Sequence, residues 1–571
     1  MKTKMRNRMV RPSLVFLALL ACGLLVPWRA IAGGEWTKLN QGAPGPVNMM
    51  LLLSDGTVMA QNTGGNAWYR LTPNNGSYID GTWTTRRPMT STRLYYASAV
   101  LRDGRVLVAG AEYGSGWNNA EIYDPATDNW SPSTVPAGLI TQNNNPQPPK
   151  FQNTAGFTDS ICKILPDGTV MVAPNFPTTP GGTLIFNPGA NSWSAGPVYS
   201  GGQNEASWVK LPDNSILTID KSTVNSERFI PALNQWTNDA SVPVALYDSI
   251  SELGAAFLLP DGRAFFLGGN GKTALYTPSG NYSPGQWVAG PVIPGGLGCS
   301  DAAAAMMELN GKVLCAVGAV GVFAAPTSFY EYDYLDLTAG PTGSFTQVGS
   351  PTGGFTDNVS PYQTIMLVLP DAGILYSDST TNLYRYVPTG FPRISSVPII
   401  SSITADGNGS YHLTGTGLNG ISEGAAYGDD AQMDSNYPLV RVSDGSGNVF
   451  YLPTFFWSST GVRTGNQLVS TEFFAFQGLN AGLAYSLVAV ANGISSDPVT
   501  FYGPIWVDFN SVNPFQTGLY DFPYHTLGQA ISAVPATGTI NIKTAGHTTE
   551  TMTISKPMTI VAIGGPATIG Q

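Results

Sequence analysis

Residues 93–110 read RLYYASAVLRDGRVLVAG: an apolar run, a turn at Asp103-Gly104, and a second apolar run. Asp-Gly tolerates the positive φ angles of a two-residue hairpin turn, so the stretch predicts two tightly joined antiparallel strands. The same unit recurs at Asp55-Gly56, Asp167-Gly168, Asp213-Asn214, Asp261-Gly262, Asn310-Gly311 and, in degraded form, Asp371-Ala372-Gly373. Seven such turns spaced roughly 45 to 65 residues apart fit a β-propeller, in which each repeat is one blade that stacks on its neighbours.

After each hairpin comes an aromatic strand and then a tryptophan: Tyr69 with Trp83, Tyr123 with Trp130, Phe186 with Trp193, Phe229 with Trp236, Tyr276 with Trp287, and Tyr330 with Phe345 in the Trp place. Each unit therefore supplies four strands. The seventh has Tyr384 to Tyr386 but no following Trp strand, whereas Glu35-Trp36-Thr37 stands near the start, so the first residues are expected to close the last blade and remove two open edges. Beyond Pro398, short runs such as 410–415 and 485–490 alternate apolar and polar residues, the pattern of a β-sandwich. After Gly503, an amphipathic stretch (526–534) and three short β-runs, beginning at Thr539, Glu550 and Met558, resemble the opening turns of a parallel β-helix of the pectin-lyase kind. The predicted organisation is all-β: 1–32 a signal peptide, 33–392 a seven-bladed propeller, 393–503 an immunoglobulin-like sandwich, and 504–571 a β-helix-like segment.

The signal assignment rests on the basic start MKTKMRNR, the apolar run Leu14 to Val26 and Ala30-Ile31-Ala32 before Gly33. It predicts a secreted, periplasmic or cell-surface protein; a lipoprotein signal ending at Cys22 is the rival, with Leu19 fitting that pattern poorly. No later stretch has the roughly 18 uncharged apolar residues of a membrane helix, and a monomer is expected. Only 11% of residues are charged and the net charge is −10, which argues against a nucleic-acid partner, since phosphate binding needs clustered Lys and Arg. Outside the signal stand Cys162, Cys299 and Cys315; at most one disulfide can form, and only Cys299 and Cys315 are close in sequence.

These repeats, with residues 93–110 and the run Tyr362 to Asp371, resemble the kelch propeller plus C-terminal early-set immunoglobulin-like domain of galactose oxidase and glyoxal oxidase, over residues 35–503. The resemblance implies a mononuclear copper site with two tyrosines and two histidines, one tyrosine being cross-linked to a cysteine. Counted back from the hairpin turns, the radical tyrosine falls on Tyr95 and the axial Tyr-His pair on Tyr362-Gln363. The cross-linking cysteine falls near Val47, and the second histidine near Gln432 in the run 427–433. Both tyrosines are present; both histidines and the cysteine are missing, and an amide oxygen is a poor replacement for imidazole on copper. The chain's three histidines, His412, His525 and His547, all lie beyond the propeller repeats.

The same count, allowing either eight or nine residues before the turn, places Asp159, Glu205, Glu252 and Asp301 at the starts of four successive inner strands. By resemblance these positions gather at the mouth of the central channel. Close carboxylates must be hydrated, partly protonated or neutralised. Three roles fit: calcium held by oxygen ligands, recognition of a sugar by the acids and the aromatics Tyr95, Tyr96 and Tyr362, or a structural role in which the acids accept backbone N–H bonds. A glycosidase pair is less apt for an arc of four acids, and a Ser-His-acid triad using Ser160 or Ser207 lacks a histidine. The sequence therefore reads as a non-catalytic exported protein that binds carbohydrate or a surface or matrix component, with no copper and no other cofactor required. The alternative is a divergent oxidoreductase of the galactose oxidase type.

Overall fold

Period-2 apolar runs bounded by Gly, Asp and Asn turns should pair with their sequence neighbours, and they do so seven times over in the computed structural model. It describes residues 33–140, 157–158, 160–175, 178–204, 206–221, 223–307, 309–406, 409–428, 436–475 and 478–570. The signal-like segment 1–32, Asp159, Glu205 and Gln432 lie outside the described residues.

Seven antiparallel sheets follow one another, each built on a four-strand meander. Their first strands are Val47–Leu52, Ala97–Val100, Ile161–Ile164, Val209–Lys210, Leu253–Leu258, Ala303–Met307 and Ile365–Val368. Where described, these first strands are buried along their whole length, whereas fourth strands such as Ser192–Val198 and Gln286–Ala289 are mostly exposed or half-buried. Burial that falls from first to fourth strand is that of sheets arranged radially about an axis. Contacts between first strands join the second sheet to the third, the fourth to the fifth, sixth and seventh in turn, and the seventh to the first. Ser98 Oγ of the second lies 4.0 Å from Met49 Sδ of the first, and the third and fourth share a core cluster, giving a propeller-like ring. Glu35–Lys38 supplies the outer strand of the seventh sheet, with Trp36 opposite Tyr386, as the sequence suggested.

The tryptophans stitch this ring. The indole N–H of Trp193 in the third sheet donates to Ser133 Oγ of the second at 2.9 Å. That of Trp287 in the fifth donates to Ser226 Oγ of the fourth at 3.2 Å, and that of Trp36 in the seventh to the Gly349 carbonyl at 2.6 Å. In the first sheet Trp83 stands opposite Leu71, and in the sixth Phe345 stands opposite Tyr332.

Residues 399–502 form two antiparallel sheets sharing one core, with Leu413, Val469 and Phe473 facing Val440, Val442 and Leu487. The last segment carries parallel pairs, Ile505–Val507 with Thr539–Ile542 and the latter with Thr559–Ala562. A helix, Leu527–Ala533, starts from a capping box of Thr526 and Gln529. The run 550–554 is not a strand, contrary to its pattern. Glu550 is instead spent on the helix start, its carboxylate accepting the N–H groups of Leu527 (2.7 Å) and Gly528 (3.1 Å). No helix among the described residues is long and apolar enough to cross a membrane. Cys162, Cys299 and Cys315 are buried, and Cys299 and Cys315, the pair close in sequence, are not bonded to each other.

Candidate functional site

The Asp-Gly hairpins all lie at one end of the ring, against the sandwich: Gly56 touches Tyr451 and Gly262 touches Arg463. The starts of the inner strands, with the loops between second and third strands, form the opposite end. At that end Tyr95 follows the two-residue strand Arg93–Leu94 with φ of 54°, a left-handed conformation uncommon for an aromatic residue. Arg93, fully buried, fixes this corner. Its guanidinium donates to the carbonyls of Gly110 (2.6 Å), Gly116 (3.1 Å) and Asn119 (3.1 Å) and pairs with Glu121 at 2.9 Å. The loop so held carries Tyr113, 43% exposed, whose ring meets that of Tyr95 edge-on at 6.2 Å.

A segment returning from beyond the ring completes the site. Ala425–Tyr427 pairs antiparallel with Ala303–Ala305 of the sixth inner strand and packs on those of the fifth and seventh sheets. Glu423 forms ion pairs with Lys163 of the third inner strand and, at 3.5 Å, with Lys210 of the fourth. The Tyr437 hydroxyl donates to the Leu52 carbonyl of the first. The described residues of this returning stretch thus meet the inner strands of six of the seven sheets, the first and the third to seventh, beneath the upper face. Tyr427 crosses that face: its ring lies 6.0 Å from Tyr95 and its hydroxyl donates to the Tyr362 carbonyl. Tyr362, in the 3-10 turn Pro361–Gln363, packs edge-on against Phe323 at 5.0 Å. Phe323 is 49% exposed and the Gln363 side chain is exposed. A row of aromatic rings therefore runs from the second sheet to the sixth.

The expected residues divide as follows. Tyr95 and Tyr362 come to the mouth, joined through Tyr427. Glu252 and Asp301 are neighbours, the Asp301 N–H donating to the Leu253 carbonyl at 2.9 Å, with Asp301 buried against Gly428. Their loop is organised by Asp248, which the strand count did not single out. Its carboxylate accepts the N–H groups of Ile250 (2.9 Å) and Glu252 (3.0 Å) and the Ser300 hydroxyl (2.6 Å). Tyr96 is no part of the face: it is fully buried, its hydroxyl donates to Gln61 Oε1 at 2.7 Å, and burial pushes its pKa far up. Ser160 and Ser207 are buried as well, Ser207 Oγ lying 2.9 Å from the Gly254 carbonyl and 3.1 Å from that of Gly428. Burial, with the nearby Asp301 carboxylate as a lesser cause, pushes the Cys299 thiol to about 12, so it is no nucleophile at neutral pH.

The donor set does not fit copper. Around Tyr95 and Tyr362 stand the Gln363 amide and, at the cysteine position, Val47, which is wholly buried. His412 is held by Glu472 at 2.7 Å in the sandwich, and the other two histidines lie in the last segment. No group of three or more His, Cys, Asp or Glu is placed to hold a metal among the described residues. Tyr113, Phe323 and Tyr427 escaped the count because it covers only inner strands, whereas these residues sit on loops and on the returning segment. One signal was available for the latter: Lys163 and Lys210 interrupt apolar inner strands, and a buried lysine requires an acid.

No known protein family and no curated protein matches this chain. Among solved structures, it is similar to a fungal alcohol oxidase of the AA5 family in complex with copper, at 14% identity and a TM-score of 0.48, covering 83% of this chain and 99% of that one. It is also similar to virginiamycin B lyase from Staphylococcus aureus (11% identity, TM-score 0.39, 62% of this chain and 99% of that one) and to YCF48 bound to D1 peptide (14%, 0.39, 62% and 95%). Likeness at this level carries no argument about chemistry, which rests on the residues themselves.

Proposed function

We propose that this is an exported, non-catalytic binding protein that recognises carbohydrate, or a surface or matrix component bearing it, through the upper face of a seven-bladed kelch-type propeller (33–392). On this reading 393–503 is an immunoglobulin-like sandwich that lends the channel segment, and 504–571 a β-helix-like segment. The observation that carries the proposal is the row of rings in which Tyr113 and Phe323 stay half-exposed, Tyr113 on a loop held by Arg93 and Phe323 backed by the ring of Tyr362. An exposed ring held rigid offers a π face to the CH face of a sugar with little ordering cost. Gln363 and the Tyr113 hydroxyl supply polar partners at either end of the row. The missing imidazoles weigh against oxidase chemistry at the same face.

The test is native affinity electrophoresis of the mature protein through gels containing soluble polysaccharides, repeated with a Tyr113→Ala, Phe323→Ala variant. Retardation of the wild type that the double variant weakens supports the proposal. Release of peroxide from an alcohol or aldehyde, with a copper-phenolate absorption band, would overturn it.

A further inference from the structure

A crevice of about 570 Å³ lies at the end opposite the mouth, between the hairpin turns of the first two sheets and the sandwich, lined by Pro125, Pro453, Phe455, Phe456 and Phe474 with charged turn residues at its rim. A second crevice of about 310 Å³ lies beside it, over the turns of the second and third sheets, with Asn187, Thr169 and Pro188 in its wall. Both volumes are in the range of ligand pockets, roughly 300 to 1,000 Å³. The two share Asp103 and Phe456, so one aromatic ring stands between two subsites.

Phe456 is 65% exposed, with φ of 53°. A bulky residue there is a true outlier, and such strain persists only where the surroundings impose it. Here they do. On one side, the Thr454 N–H reaches the Ser54 carbonyl at 3.4 Å and its hydroxyl donates to Pro438 at 2.7 Å. On the other, the Trp457 N–H donates to the Arg102 carbonyl at 3.2 Å, its indole N–H donates to Thr454 Oγ1 at 3.1 Å, and its ring stacks on Tyr437 at 4.4 Å. Phe455, tilted against Phe474 at 4.6 Å, backs the ring from behind at 5.0 Å. Folding therefore holds an apolar ring out in water, at a cost in backbone strain, between two clefts.

We infer that this double crevice is a second binding site, distinct from the mouth, for a neutral oligosaccharide chain lying across Phe456. Three features select that class. The clefts adjoin and share one ring, which suits a chain stacking one unit on the ring and placing others on each side. The polar groups of the rim are held in orientation by their own turns, as Asp103 is by Arg105 (2.8 Å) and Asp167 by Thr169 (2.7 Å). Across both clefts four aspartates, Asp55, Asp103, Asp124 and Asp167, face three arginines, Arg70, Arg102 and Arg105, so the charge nearly cancels and an anionic chain gains nothing.

The full-length mature protein is run through native gels containing mixed-linkage β-glucan, xyloglucan, galactomannan or alginate. At least one neutral polysaccharide should retard it, and Phe456→Ala should weaken that retardation about tenfold, as expected for the loss of one stacking platform. Phe456→Trp should retain it, which separates stacking from any fault in folding, and the Tyr113→Ala, Phe323→Ala variant should keep it in part. The inference is overturned if no neutral polysaccharide retards the wild type, if alginate alone does, or if Phe456→Ala migrates as the wild type. Loss confined to the mouth variant would overturn this site and leave the mouth reading standing.

Discussion

The two ends of the ring are built on different principles. At the lower end the sheets present the same device, a tight turn whose first side chain accepts the N–H two residues on, at 2.9 to 3.1 Å: Asp55, Asp103, Asp167, Asp213, Asp261 and Asp371, with Asn310 in the sixth. The sandwich then closes on this regular surface. At the upper end no two loops are alike, and the residues that matter come from loops or from far along the chain. Regularity gives a docking platform; irregularity gives a face that can be particular about what it binds. The segment carrying Glu423 and Tyr427 links the sandwich end to the upper face.

That shared piece is where the comparison breaks most readily. Glu423 lies buried between Lys163 and Lys210, both also buried. Glu423→Ala leaves two ammonium groups without their carboxylate in the channel and should cost about 3 to 5 kcal/mol, read from urea or guanidinium unfolding. It should also free Tyr427 from the mouth. A loss below about 1 kcal/mol would mean that water already solvates the lysines and that the channel segment is held by strand pairing alone.

The next effect sharpens what the ring owes to its repeats. Trp193→Phe keeps an aromatic ring but removes the donor to Ser133 Oγ, which is buried, and should cost about 1 to 3 kcal/mol. If Trp193→Phe were neutral, the repeated tryptophans would act by bulk only.

This difference between local and distant interactions is also why the sequence was readable in one place and opaque in another. Seven hairpins were legible because strand, turn and strand are contiguous and the Asp-Gly pair reports its own backbone. Closure by Glu35–Lys38 was legible because a strand was missing at one end of the repeat and spare at the other. Tyr95 and Tyr362 were found because inner strands of near-constant length let positions be counted from the turn. Tyr113 and Phe323 lie on loops of no fixed length, where counting stops. The Glu423 contacts are made by a segment distant in sequence from both lysines, and the run at Glu550 looked like a strand because capping of a helix by a remote carboxylate leaves no periodicity.

A smaller effect, of opposite sign, tests whether the lower end is more than a platform. Phe456 adopts a left-handed backbone that costs a side chain with a Cβ roughly 1 to 2 kcal/mol and glycine almost nothing. Phe456→Gly should leave stability unchanged or raise it by up to about 1 kcal/mol, the relief being partly offset by the flexibility of glycine in the unfolded chain. A fall of more than about 1 kcal/mol would show that the ring is part of the sandwich core, and the double crevice would lose its reason to exist.

The smallest change in stability is expected at the upper face. Tyr113 is 43% exposed and meets Tyr95 only edge to edge, while its loop is fixed through backbone carbonyls by Arg93 rather than through its own ring. Tyr113→Ala should therefore move the unfolding midpoint by no more than about 0.5 kcal/mol equivalent, the ordinary range for an exposed side chain. Arg93→Met, by contrast, removes the ion pair to Glu121 and a donor from each of three loop carbonyls and should release the loop. If both variants lose retardation in polysaccharide gels but only Arg93→Met loses stability, the ring itself does the binding and the buried arginine does the holding. If Tyr113→Ala destabilises as Arg93→Met does, the aromatic row is core that happens to reach the surface, and the upper face has no more claim to a ligand than the regular end beneath it.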